Sequence, residues 1–148
     1  MAIPNGLKVP TPFEYAFPHG CLLLGIEAAT DFDKRGQADD QSRDRETGKR
    51  VWLAKVLDLD PEAGKFGASK EIKVKVVADQ QPVPPAATVP GYPPRVEFEG
   101  LTVSPWSDSQ RCKAPEAGRP HKCKARLAWS YRATGITEPK SASRPKAA

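Results

Sequence analysis

Proline is the residue that most constrains what this chain can fold into. It accounts for 16 of the 148 residues, about twice its usual share of about 5%. A helix interior tolerates proline poorly, because the ring removes a backbone donor and clashes with the preceding turn. Six of the prolines fall between Gln80 and Pro94. This segment therefore reads as an extended connector, and the composition argues against a helical bundle.

Between the prolines, short apolar or alternating segments predict strands. Residues 70–78 alternate most clearly, because Val74 and Val76 would face one side of a sheet. Lys73 and Lys75 would face the other side. The second and third predicted strands are expected to form a hairpin. In all, the pattern predicts five strands, near residues 20–27, 50–58, 70–78, 95–104 and 123–134.

The fourth predicted strand changes parity in its middle. Val96 and Phe98 are apolar at even positions, whereas Leu101 and Val103 are apolar at odd positions. The change falls at Gly100, and such a switch is typical of a β-bulge or a barrel corner. Five strands with one bend predict a mainly β fold, a single small five-stranded barrel of the OB-like type. A two-sheet β-sandwich is the alternative.

The expected organisation is one domain with flexible ends. Residues 16–138 are predicted to form the β-barrel domain, after an N-terminal extension (1–15) and before a disordered basic tail (139–148). Inside the domain, residues 33–50 form a long polar loop and residues 80–94 the Pro-rich connector. No segment approaches the ~18 apolar residues of a membrane helix, and no signal-peptide pattern opens the chain. We therefore expect a cytoplasmic protein with no membrane partner.

Positive charge is concentrated towards the C-terminus. The formal net charge is +5, yet residues 1–108 hold 13 basic and 16 acidic side chains, whereas residues 109–148 hold 10 and 2. Such asymmetry favours a polyanionic partner such as DNA, because each cation that neutralises a phosphate releases condensed counterions. The alternative is a solvated basic surface that keeps the protein soluble.

The predicted nucleic-acid-binding residues lie on polar strand faces and in the loop before the last strand. The basic ones are Lys73, Lys75, Arg111, Lys113, Arg119, Lys122, Lys124, Arg126 and Arg132. Trp52, Trp106 and Tyr92 are the aromatic side chains available to stack on bases. The apolar face of the last strand is expected to lie in the core and comprises Leu127, Trp129 and Tyr131.

The three cysteines do not complete an intramolecular disulfide set, which fits a reducing compartment. Cys112, His121 and Cys123 are ligand types that zinc prefers, but their spacing is unlike the paired ligands of structural zinc sites. We expect Cys112 and Cys123 to lie close together instead, at the two ends of a loop between adjacent strands. No metal and no cofactor are expected.

Catalysis finds little support in the sequence. The two histidines, His19 and His121, do not accompany a serine or cysteine nucleophile motif. No GxSxG, Walker-type or dinucleotide-binding glycine pattern is present. The chain is not expected to be an enzyme.

Several segments together resemble a known family. They are FPHG near residue 17, RDRETGKRVWLAKVLDLDPEA, QPVPP, PPRVEFEGLTVSPW and KARLAWSYRATGI. In this order they are similar to the plasmid replication, integration and excision activators of actinobacterial integrative and conjugative elements. The resemblance covers about residues 16–138 and is most specific around 46–61 and 95–105. It implies an accessory regulatory role in activating the element's replication, integration and excision, and it carries over no base-reading residues.

The mechanism stays open at this point, because no helix-turn-helix, ribbon-helix-helix or zinc-finger pattern can be read. One hypothesis is a regulator that contacts DNA through a β-barrel surface. A second is an adaptor that docks onto an element-encoded replication initiator or repressor through edge strands and the connector. A third is a non-specific single-stranded DNA-binding protein. Salt-dependent DNA binding would separate the first and third from the second.

Overall fold

The computed structural model describes residues 6–65 and 69–140 of the chain. Within these ranges, eight strands form one sheet that curls into a half-barrel. A short helix, α1 (Phe13–Ala16), precedes the second strand, and a 3₁₀ turn spans Phe32–Lys34. The strands are β1 (Val9–Pro10), β2 (Cys21–Ala28), β3 (Val51–Asp58), β4 (Glu71–Val77), β5 (Arg95–Glu99), β6 (Thr102–Asp108), β7 (Arg126–Ala133) and β8 (Gly135–Thr137).

The strand order across the sheet is β1-β6-β7-β4-β3-β2-β5-β8. Neighbouring strands are antiparallel except β4 and β7, which run parallel. The predicted hairpin of the second and third strands is confirmed as β3 and β4, in which Val51 pairs with Val77 and Leu57 with Glu71. The mainly β prediction is likewise confirmed.

The five-stranded barrel was the wrong architecture. The predicted strand at 95–104 is two strands, because Gly100 adopts a φ of +59° and turns the chain out of the ladder. As a result β5 pairs with β2 and β8, whereas β6 pairs with β1 and β7. The two-residue β1 and the three-residue β8 were missed, since segments this short carry too little alternation to be recognised.

Two connections, from β5 to β6 and from β7 to β8, carry the chain from one side of the curled sheet to the other. We call these two connections the crossings. Thr134 donates its backbone N–H to the Glu99 carbonyl at 2.8 Å and its hydroxyl to the same oxygen at 3.2 Å. A Cβ placed on Gly100 would lie 2.5 Å from Thr134 Oγ1. The crossings are therefore in direct contact, and only glycine fits at this point without a shift.

The core lies inside the curl and is built from alternate residues of the strands. Val74 and Val76 of β4 are fully buried, as predicted, and Lys73 and Lys75 are exposed. Phe17, just before β2, fills the centre. Its ring lies 6.2 Å from Phe98 on β5 and 5.8 Å from Tyr131 on β7. One aromatic side chain thus bridges strands from the two sides of the curled sheet.

The segments predicted as extension and loop take part in the fold. Val9 and Pro10, within the predicted N-terminal extension, pair with β6. In the polar loop 33–50, Gln41 is buried and donates its amide to the Val51 carbonyl at 3.0 Å. These segments are anchored because strands β6 and β3 offer backbone partners, which a polar composition does not reveal.

Residues 80–94 contain no helix or strand, and they carry the chain from β4 to β5. Of the predicted basic tail, residues 141–148 lie outside the described residues. In the described ranges, no helix combines the length and the apolar character needed to cross a membrane.

Candidate nucleic-acid interface

Strands β6 and β7 form a hairpin that begins in the core and ends in solvent. We call β6, β7 and the loop 109–125 between them the arm. Asp108 lies opposite Arg126 at its outer end. Ala133, at the inner end, is fully buried, whereas Leu127, near the outer end, is 66% exposed. The outer part of the arm therefore extends past the core.

One face of the arm continues the core face of the sheet. Leu127, Trp129 and Tyr131 share this face by alternation along β7, as predicted. The expectation that all three are buried was wrong. The Tyr131 ring packs on Phe17, but Trp129 is 46% exposed. Alternation assigns a side chain to a face, and burial of that face also requires core beneath it, which the outer arm lacks.

The opposite face of the arm continues the outer, polar face of the sheet. Trp106 lies opposite Ala128 on this face and is 44% exposed. Because β4 and β7 are neighbours, Lys75 lies beside Arg132 in the parallel register. Lys73, two residues earlier on β4, shares the face of Lys75. The two lysines thus extend the basic face, as predicted for strands of one sheet.

The loop 109–125 contains neither helix nor strand and carries most of the cations of the arm. Backbone turns order parts of it: Cys112 N–H donates to the Ser109 carbonyl at 2.9 Å, and Arg119 N–H donates to that of Glu116 at 3.0 Å. Glu116 is the single acidic residue of the loop and pairs with Arg119 at 3.7 Å. The basic side chains of the loop are exposed and comprise Arg111, Lys113, Arg119, Lys122 and Lys124.

Two of the predicted phosphate-contacting arginines are held in internal ion pairs. Arg126 Nε lies 3.6 Å from a carboxylate oxygen of Asp108. Arg132 donates from Nε and Nη2 to the two oxygens of Asp44, at 3.3 and 3.1 Å, and its side chain is only 18% exposed. The second pair is bidentate and poorly accessible. Arg132 therefore serves to attach the polar loop to β7, and it is poorly placed to meet a phosphate.

Burial alone would raise the pKa of Asp44. Hydrogen bonds from Arg132 and Thr47 outweigh that effect and hold the pKa of the Asp44 carboxyl below its ordinary value. Asp44 accepts from both the hydroxyl and the backbone N–H of Thr47, at 2.9 and 3.0 Å. The Asp44 carboxylate thus accepts hydrogen bonds both from its own loop and from β7, and it holds this part of the loop in place.

Trp52 does not lie with the other predicted stacking residues. It is opposite the buried Val76, on the core face of the sheet, and it is only partly exposed. Its indole N–H donates to the Ala78 carbonyl at 3.0 Å. This placement gives Trp52 a structural role. Tyr92, in the Pro-rich connector, is 70% exposed and lies outside the arm.

The predicted proximity of Cys112 and Cys123 is confirmed, with their sulfur atoms 3.9 Å apart. His121 joins them, so that one potential ligand atom from each of the three residues lies within 4.8 Å of the others. The backbone N–H of Lys124 donates to Cys112 Sγ at 3.3 Å. The sequence spacing of these three residues argued against such a grouping. Spacing alone does not show how the loop folds back on itself.

An open groove of about 640 Å³ lies at the connection between β5 and β6. Its lining includes the carboxylates of Glu14, Glu97 and Glu99, with Lys140 as its basic residue. An acidic lining repels phosphates. This groove is thus a poorer surface for nucleic acid than the arm.

Comparison with protein-family models, with curated proteins and with solved structures found no match to this chain. The family resemblance read from the sequence therefore stays a prediction.

Proposed function

We propose that this chain is an accessory DNA-associated regulatory protein of a mobile element, which activates replication, integration and excision of that element. The arm is its DNA-contacting surface. The observation that carries the DNA-binding part is the exposed loop 109–125, with five Lys or Arg residues and a single acidic residue. The regulatory context comes from the family resemblance alone.

The lysines of the loop are the best-placed phosphate contacts. Lys113, Lys122 and Lys124 are exposed, and no ion pair engages them within the described part of the chain. They therefore reach a phosphate without first breaking an internal contact, unlike Arg126 and Arg132. Contacts of this kind position a protein on DNA and do not select a sequence.

Exposed indoles favour single-stranded DNA as a second candidate ligand. Trp106 and Trp129 are each nearly half exposed, and they lie on opposite faces of the arm. Unstacked bases pack against such rings, and each stacked base contributes about 1–3 kcal/mol. Bases in a duplex are already stacked, so the same side chains add little to duplex binding.

A binding titration with duplex and single-stranded DNA at several salt concentrations tests the proposal. The variant Lys113→Ala/Lys122→Ala/Lys124→Ala removes three cations from the loop. Its plot of log K against log salt is expected to be shallower by about 2–3 units of slope, because each phosphate contact contributes about 0.7–0.9. Loss of affinity is greatest at low salt.

The matched control removes the same charge elsewhere, in the variant Lys49→Ala/Lys65→Ala/Lys70→Ala. All three of these lysines are exposed and lie outside the arm. The control should keep the parent slope. Equal slopes for the loop variant and the parent would contradict the proposal and favour the adaptor hypothesis. Selective loss of single-strand binding in Trp106→Ala and Trp129→Ala would favour the single-stranded ligand.

A further inference from the structure

The loop of the arm gathers three metal-ligating side chains near its base. Cys112 and Cys123 are eleven residues apart in the sequence, and His121 lies two residues before Cys123. The loop folds back so that their ligand atoms meet at the surface. Within the described ranges these are the three residues grouped in this way.

The distance between the two sulfur atoms matches a tetrahedral site. With Zn–S bonds of about 2.3 Å, two thiolates on one zinc ion lie about 3.8 Å apart. The sulfur atoms of Cys112 and Cys123 are 3.9 Å apart. All three ligand atoms lie within 4.8 Å of one another, so a small movement of the exposed His121 ring completes the geometry. We infer that Cys112, His121 and Cys123 form a Cys₂His zinc site, with the fourth position open to water.

A backbone hydrogen bond already reaches one of the two sulfur atoms. The Lys124 N–H donates to Cys112 Sγ at 3.3 Å, and outer hydrogen bonds of this kind orient metal ligands.

A metal ion at this position would also order the long loop 109–125. It connects β6 and β7 through seventeen residues without helix or strand, and its side chains are almost all exposed. Loops of this length without internal structure are uncommon unless something orders them or they carry function. A zinc ion that joins Cys112 to Cys123 closes the loop at its base and restricts the chain between them.

A disulfide is the competing use of the two cysteines. It requires a sulfur–sulfur bond of about 2.04 Å, and its formation removes two electrons and two protons from the thiols, which an external oxidant must accept. His121 has no part in that reaction. The histidine therefore distinguishes the two uses.

The test is a titration of the reduced, metal-free full chain with Co²⁺, followed by displacement with Zn²⁺. One equivalent of Co²⁺ is expected to produce thiolate-to-cobalt charge transfer and intense visible bands of tetrahedral coordination, and one equivalent of Zn²⁺ should abolish both. Cys112→Ser, Cys123→Ser and His121→Asn should each weaken Co²⁺ binding at least tenfold, since loss of an outer-shell partner alone costs about 10–100-fold.

The matched control is His19→Asn, which alters the other histidine of the chain and should bind Co²⁺ as the parent does. Far-ultraviolet circular dichroism is expected to show an unchanged fold for all four variants, because His121 and the two cysteines lie outside the core. Lack of a charge-transfer band in the parent would overturn the inference. So would an unchanged cobalt spectrum and affinity in His121→Asn, since two thiols alone would then account for the metal binding. Neither result depends on whether the chain binds DNA.

Discussion

At the scale of single residues, Asp44 shows how one carboxylate organises a segment that reads as a polar loop. It accepts from Arg132 on β7 and from Thr47 in its own loop. Bidentate hydrogen bonds to a charged group are among the stronger polar contacts in proteins. The loop is thereby attached to β7, which is neither of the two strands that it connects.

We expect Asp44→Asn to lower the free energy of unfolding at neutral pH by about 2 kcal/mol, because hydrogen bonds to a charged group are lost. The pKa of Asp44 is lowered in the folded protein. Its contribution is therefore fully present above the unfolded pKa, about 3.9, and disappears as the pH falls through the lower folded value. Urea denaturation of parent and variant between about pH 7 and pH 2.5 measures the difference.

The two stability curves should converge at the acid end of that range. Asp33→Asn is a suitable control, because Asp33 is an exposed carboxylate at the start of the same polar loop. A difference between the parent and Asp44→Asn that persisted unchanged to the lowest pH would contradict the electrostatic explanation.

At the scale of elements, β7 combines a buried inner half with an exposed outer half. Tyr131 and Trp129 lie two residues apart on the same face. The Tyr131 ring packs 5.8 Å from that of Phe17, whereas Trp129 is 46% exposed. The same strand thus carries an aromatic residue of the core and one that is free to meet a ligand.

Truncation of these two side chains should separate the roles. Tyr131→Ala is expected to lower the free energy of unfolding by about 3 kcal/mol, because it leaves a cavity beside Phe17. Trp129→Ala should cost less than about 1 kcal/mol, as surface substitutions usually do. Urea denaturation followed by circular dichroism measures both. Equal costs would show that core packing reaches further along the arm than the exposure of Trp129 indicates.

At the scale of the whole molecule, the two crossings of the curled sheet are in direct contact. Gly100 takes a φ of +59°, and an added Cβ would lie 2.5 Å from Thr134 Oγ1. Gly36 also has a positive φ, +84°, but nothing lies within 4 Å of its missing Cβ. Substitutions at these two glycines therefore separate the cost of backbone strain from the cost of steric contact.

Gly36→Ala should therefore cost about 1 kcal/mol, through backbone strain alone. Gly100→Ala should cost clearly more, about 2–4 kcal/mol, because a clash of the overpacking type is added. Thermal or urea unfolding measures the difference. Gly100→Ala combined with Thr134→Ala should recover part of the excess. Equal costs for the two single variants would mean that the crossings are not tightly packed.

Much of the local structure follows from the sequence. The alternation in residues 70–78 predicted the two faces of β4, and the parity change at Gly100 predicted the bend between β5 and β6. The nearness of Cys112 and Cys123 was also predicted, because the two ends of a loop between paired strands approach each other. Each of these inferences depends on residues close together in the chain, where backbone geometry is decisive.

The sequence by itself thus determined where the longer strands lie, which side chains share a face and where the cations are concentrated. Only the tertiary structure decided that Trp129 is exposed, that Arg132 is held by Asp44 eighty-eight residues away, and that His121 joins the two cysteines. The physical reason is that burial and long-range pairing depend on which distant surfaces meet. Alternation along a strand defines a face, but the parallel pairing of β4 with β7 and the curl of the sheet determine what covers that face.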